Sequence, residues 1–128
     1  MKFLLDTHAL LWFFAGDRLL SDTAKDVIDN PTNHKFISVA TVWEMTIKQS
    51  QGKLELEKLA ADYVADKLLF SDFHLLPIEL HHLKVISTLD FYHRDPFDRL
   101  LISQAIAEEL PIIGKDQVFK DYPVQCVW

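Results

Sequence analysis

Short apolar runs alternate with longer stretches of helical spacing along this chain. Residues 2–5, Lys-Phe-Leu-Leu, read as a buried strand that Asp6 ends. Thr7 can cap a helix over residues 9–14, which Gly16 and Asp17 break. Residues 21–29 form a second helix closed by Asn30-Pro31, and residues 36–39 a second buried strand. A helix over 40–51 follows, with Gly52 just past its end in the position where a left-handed residue is needed. Apolar side chains at 59, 60, 63, 64, 68 and 69 predict an amphipathic helix over 59–70. Residues 74–77 make a third strand, 79–89 a helix, 96–110 a further helix and 111–113 a fourth strand. A helical turn over 116–121 and a last strand over 124–127 complete the pattern. Strands alternating with helices across short connections predict an α/β fold with a mostly parallel sheet flanked by helices.

Composition narrows this picture. At 128 residues, without repeat, linker or low-complexity stretch, residues 1–128 read as one domain with a core of its own. No apolar run is long enough to span a membrane and the N-terminus shows no signal-peptide pattern. The single cysteine, Cys126, leaves no disulfide or cysteine-rich zinc site, and the expected location is the cytoplasm. A formal charge of −6 argues against a basic nucleic-acid face, but it counts differently if acids are gathered around a divalent cation.

The richest stretch is His93-Arg94-Asp95-Pro96-Phe97-Asp98-Arg99, leading into an apolar helix. Asp95 suits the N-cap, Pro96 the first helical position and Asp98 the third. Other acids fall at related places. Asp6 follows the first strand, Glu44 lies early in the helix after the second, and Asp116 follows the fourth strand. Each has an ordinary explanation as a helix-start or capping residue, Glu44 as the end of a Thr41-x-x-Glu44 capping box. Those explanations do not account for acids after several strand ends on one rim, where α/β sheets bind ligands. Gathered carboxylates repel unless a cation or raised pKa values relieve them. Mg²⁺, with Mn²⁺ as the alternative, is the natural partner of oxygen ligands, and phosphodiester hydrolysis is the chemistry such a centre serves.

The segments Phe3-Leu4-Leu5-Asp6-Thr7-His8-Ala9-Leu10-Leu11-Trp12, Ser38-Val39-Ala40-Thr41-Val42-Trp43-Glu44 and 93–105 together resemble the PIN-domain ribonucleases. Within them the chain is similar to the VapC-type toxins of toxin–antitoxin pairs, over residues 2 to 127. The resemblance implies a PIN-like three-layer fold and a Mg²⁺-dependent endoribonuclease. Its four acidic positions map onto Asp6, Glu44, Asp98 and Asp116. Asp6 and Asp98 would hold the metal directly, Glu44 would orient the metal or the attacking water, and Asp116 would act through water or a second ion. Asp95 and Thr7 would support them from outside the ligand set. Gly114 stands where the family often has Thr. The resemblance also implies a homodimer, an RNA substrate and a small antitoxin whose tail lies in an apolar groove. Leu10-Leu11-Trp12-Phe13-Phe14 and Trp43 offer material for that groove, and Arg94, Arg99, Lys115 and Lys48 could contact RNA phosphates.

Other features lead away from chemistry. His81 and His82, adjacent on a helix, should point apart and share no metal; His93 is the one histidine near the acids. Three glycines leave no phosphate-cradling loop. A haloacid-dehalogenase-type phosphatase would need an acid at position 8, which is His8, and a receiver domain an acidic pair at the first strand. A PIN-like domain that binds RNA or protein without cutting it is the remaining alternative.

Overall fold

The structure, a computed structural model, describes residues 1–128. Strand β1 (Lys2–Leu5) leads into helices α1 (Thr7–Ala15) and α2 (Asp22–Asp29), and β2 (His34–Ser38) into α3 (Val39–Ser50) and α4 (Ala60–Lys67). Strand β3 (Phe73–Leu76) is followed by α5 (Leu80–Thr88) and α6 (Pro96–Glu108), then β4 (Ile112–Ile113), a 3₁₀ turn (Gln117–Asp121) and β5 (Cys126–Val127). The strands form one sheet in the order β3-β2-β1-β4-β5, parallel throughout.

Alternation along the strands builds a core on each face. Phe3 and Leu5 of β1 and Ile113 of β4 pack with Leu10, Ala24, Ile28, Met45 and Val64 of the helices on one side. Leu4 and Ile112 pack on the other side against Leu101, Ile102 and Ala105 of α6. The result is a three-layer α/β fold. Helix α6 is buried at every residue from Arg99 to Ala105, because it is covered by the sheet on one side and by α5 on the other. Buried Gln104 fixes it at the strand ends, accepting from the Ser38 hydroxyl and donating to the Pro77 carbonyl. The sheet order reverses direction at β1, which places the crevice for a ligand beyond β1 and β4.

Two capping expectations are corrected. Ser38, not Thr41, starts α3; its hydroxyl accepts from the Ala40 amide at 3.0 Å, so the Thr41–Glu44 box does not form and Val39 joins the helix. Helix α1 begins at Thr7 with Asp6 at its N-cap and no side-chain capping bond, leaving the Thr7 hydroxyl free for other work. The expected helix over 59–70 shortens to Ala60–Lys67 and the last strand to Cys126–Val127. Gly52 takes the left-handed φ of 71° that stops α3. No helix is long and apolar enough to cross a membrane.

Candidate metal centre

The parallel sheet brings the predicted acids to its carboxyl edge. Asp6 leaves β1 and is buried, while Asp116 follows β4 and is exposed. Glu44 projects from the second turn of α3, and Asp98 from the first turn of α6. Asp95 is the cap it was expected to be. Its Oδ1 accepts from the amides of Phe97 and Asp98 at 2.9 and 3.0 Å, which leaves the Asp98 carboxylate unspent.

Glu44 is held at both oxygens. The Thr7 hydroxyl donates to Oε1 at 2.8 Å, and Lys48, one turn along α3, pairs with Oε2 at 3.1 Å. Asp6 and Asp98 have no Lys or Arg partner. Burial first, then the charges of Glu44 and Asp116, push the Asp6 carboxyl up to about 6 against the opposing pull of His8 and the Thr7 backbone. Burial likewise pushes Asp98 up to about 7, reinforced by the charges of Asp95, Asp6, Glu44 and Asp116. These residues feel one another's charge, and Lys48 on Glu44 is the one Lys or Arg paired with any of them, so the chain has assembled a pocket in which the acids outnumber their counter-charges. A hard divalent cation with oxygen preference fits that donor set.

The sign of the pH dependence follows. Both carboxyls titrate above their unfolded value, so the metal-free fold binds more protons than the unfolded chain between about pH 4 and 7. Its stability should fall as pH rises through that window and level off above about 7. Cation affinity should run the other way, weakening about 100-fold between pH 8 and pH 5.5 as protons compete for Asp98 and then Asp6. Mn²⁺ titrations at the two pH values check this.

Gly114 has a steric reason to be glycine. A Cβ there would lie 3.0 Å from the Cβ of Asp6 and 3.0 Å from the Phe119 ring, close enough that one of the two must give by a few tenths of an ångström. Gly114→Ala should cost about 1–3 kcal/mol by overpacking and should displace Asp6. A lower midpoint in urea together with weaker Mn²⁺ binding checks both effects.

The basic residues divide. Arg94 and Lys115 are exposed and stand near the acids in sequence, whereas Lys48 is already committed to Glu44. Arg99 is corrected: it is 4% exposed and cannot reach a phosphate. Its guanidinium donates to the carbonyls of Asp90 and Leu89 at 2.7 and 3.0 Å, reaches the Tyr122 hydroxyl and covers the Phe91 ring. It fastens the segment before α6 onto the helix. The histidine pair is corrected too. His81 and His82 do not diverge; their Nε2 atoms meet the same Glu108 oxygen at 3.0 and 2.9 Å. The Glu79 amide donates to Nδ1 of His82, so that ring carries its hydrogen on Nε2 and offers Glu108 a donor rather than an ion a lone pair. The Glu108 carboxyl is held below the usual range by these bonds, His82 first.

Sequence reasoning missed Tyr122 and took Thr41 for a cap alone. Thr41 lies 3.2 Å from the Thr7 hydroxyl, and Tyr122 joins His93 to Arg99. The spacing of Lys48 four residues after Glu44 was a usable signal, but nothing local announces a contact between positions 93 and 122. Beside Thr7 and His8 opens a groove of about 750 Å³ whose walls include Leu11, Trp12, Met45 and Tyr63. Leu10, expected in it, is fully buried beneath; Trp43 stands outside it, half exposed against Phe97.

A parallel three-layer α/β domain with acids gathered at the carboxyl edge describes a defined class, and the sequence matches it. The model of the PIN domain family matches residues 3–125, and the chain belongs to that family. No curated protein is similar enough in sequence to match. Among solved structures, the fold is similar to that of VapBC2 from Rickettsia felis bound to a DNA fragment from the promoter, with 16% identity, 98% of this chain and 97% of that chain covered, and a TM-score of 0.67. It is similar to FitAcB from Neisseria gonorrhoeae, with 17% identity, coverage of 98% and 96%, and a TM-score of 0.67. It is also similar to a toxin–antitoxin complex from Klebsiella pneumoniae, with 20% identity, coverage of 94% and 92%, and a TM-score of 0.61. At these identities the likeness is one of fold.

Proposed function

We propose that this protein is a Mg²⁺-dependent endoribonuclease and the toxin of a toxin–antitoxin pair. The observation that carries the reading is the convergence of Asp6 and Asp98, neither with a Lys or Arg partner, at the carboxyl edge of the sheet. Membership of the PIN domain family and likeness in fold to toxin–antitoxin proteins support it.

Asp6 and Asp98 would hold the ion directly, with Asp116 acting through water or a second ion. When bound, Mg²⁺ would grip phosphate oxygens and lower the pKa of a water for in-line attack on phosphorus. The protein supplies the placement. Thr7 and Lys48 keep Glu44 turned to the centre, where its carboxylate can orient the water. Asp95 keeps the first turn of α6 closed so that Asp98 stays at the rim. Arg94 and Lys115 are free to take phosphates on either side of the cut. The groove beside His8, with apolar walls and charged residues of both signs, Lys48, Lys53 and Lys58 beside Glu55, Glu57 and Asp66, suits the tail of a small antitoxin, and a homodimer is the expected assembly.

The test is purified protein with single-stranded and folded RNA in Mg²⁺ and in EDTA. Cleavage in Mg²⁺ that EDTA stops is expected. Tight RNA binding in EDTA with no cleavage in Mg²⁺ or Mn²⁺ would overturn the enzyme in favour of a binding module.

A further inference from the structure

One buried polar side-chain atom near the acids has no hydrogen-bond partner: Nε2 of His93. The proton on this ring can be placed from its surroundings. The hydroxyl of buried Tyr122 lies 3.3 Å from the His93 amide, 3.3 Å from Nη1 of Arg99 and 2.8 Å from Nδ1 of His93. The amide and the guanidinium are obligate donors, so they use the phenolic lone pairs. The hydroxyl's own hydrogen then goes to the third and nearest neighbour, Nδ1. A neutral ring that accepts at Nδ1 carries its hydrogen at Nε2. That hydrogen is the unsatisfied one, and Nε2 sits 3.7 Å from Oδ2 of Asp98.

We propose that His93 is a positioning residue for Asp98: its Nε2–H donates to Oδ2 when Asp98 turns to hold a divalent cation, leaving Oδ1 for the ion. This rests on the metal reading given above. A closure of less than about 1 Å makes the hydrogen bond, and it satisfies a buried donor that is otherwise costly to leave alone. Carboxylates that ligate metals are themselves hydrogen-bonded, and the outer partner fixes which oxygen faces the ion. The buried Arg99 acquires a purpose by the same route. Anchored on the carbonyls of Leu89 and Asp90, it holds Tyr122, Tyr122 sets the His93 tautomer, and His93 aims Asp98.

Two measurements on the intact protein test this. Nitrogen-15 NMR of the histidine rings in metal-free protein, with His93 assigned by its loss in His93→Gln, should show the Nε2–H tautomer. The preference should vanish in Tyr122→Phe, which removes only the hydroxyl. Calorimetric titration with Mn²⁺ should show affinity weakened about 10–100-fold in His93→Ala and by less in Tyr122→Phe. His93→Gln, whose amide nitrogen can donate from a similar position, should recover most of the loss, which a merely structural role would not give. An Nδ1–H tautomer, wild-type affinity in His93→Ala, or no recovery in His93→Gln overturns the role. If His93→Ala does not fold, unchanged affinity in Tyr122→Phe together with an unchanged tautomer overturns it instead. Wild-type protein that binds no Mn²⁺ overturns the metal reading and the role of His93 together.

Discussion

Asp98→Asn should abolish Mg²⁺-dependent RNA cleavage and, at the same time, make the metal-free protein more stable. The loss should be at least about 10³-fold, because a direct ligand contributes several kcal/mol of charge stabilisation at the transition state. The gain in stability comes from the same carboxylate. Burial and the charges of Asp95, Asp6, Glu44 and Asp116 push Asp98 up to about 7, so above that pH its ionised form opposes folding. Asparagine removes the charge in nearly the same shape. The helix loses a favourable first-turn charge worth about 0.3–1 kcal/mol, but not its cap, since Asp95 accepts both amides alone. With the side chain 22% exposed and part of the field screened, a net gain of about 1–3 kcal/mol is expected at pH 8. Thermal melts in EDTA read it directly. A variant that is both inactive and markedly less stable would mean that Asp98 serves the fold rather than a metal.

Lys35→Met should cost about 3–5 kcal/mol. Lys35 is fully buried in β2. Its ammonium pairs with Asp72, donates to the carbonyls of Asn30 and Asn33 at 3.1 and 2.9 Å, and lies 4.9 Å from the centre of the Phe73 ring. Burial alone would push the Asp72 carboxyl up, but Lys35 outweighs it and holds the group below the usual range. Methionine keeps the aliphatic stem but strands the Asp72 carboxylate and the Asn33 carbonyl; the Asn30 carbonyl keeps the Asn33 amide as a donor at 3.1 Å. Urea unfolding checks the figure, and a loss under about 1 kcal/mol would show that water replaces the ammonium. RNA cleavage by whatever remains folded should be unchanged, because Lys35 lies near the start of β2, paired with Phe3 and Phe73, at the end of the sheet away from the acids.

Lys35 also shows why parts of this molecule were hidden in its sequence. A lysine beside an apolar run reads as a strand edge in water, and only the folded loops at 30–33 and 72 turn it into a buried tie. Arg99 misled in the same way. Its charge and position beside Asp98 suggested a phosphate contact, whereas the partners that bury it, Leu89, Asp90 and Tyr122, are brought in by the fold. By contrast, β1 and Asp6 were legible, because an unbroken apolar run ended by an acid has few other readings. The start of α6 was legible because Asp95 and Pro96 are local signals that act within one turn. The second strand was placed two residues late and ran on into Val39, since apolar continuity cannot tell where a buried strand becomes a buried helix. What decides it is the Ser38 hydroxyl on the Ala40 amide.

The gathering of Asp6, Glu44, Asp98 and Asp116 was an inference from strand ends on one rim, and the parallel order β3-β2-β1-β4-β5 supplies that rim. What they gather for is most directly tested by calorimetric titration of Mn²⁺ into the wild-type protein and into the Asp6→Asn, Asp98→Asn double variant at pH 8. Saturable binding to the wild type is expected, with none to the double variant, which should stay folded and melt higher in EDTA. Equal binding to both proteins, or none to the wild type, would contradict the metal reading.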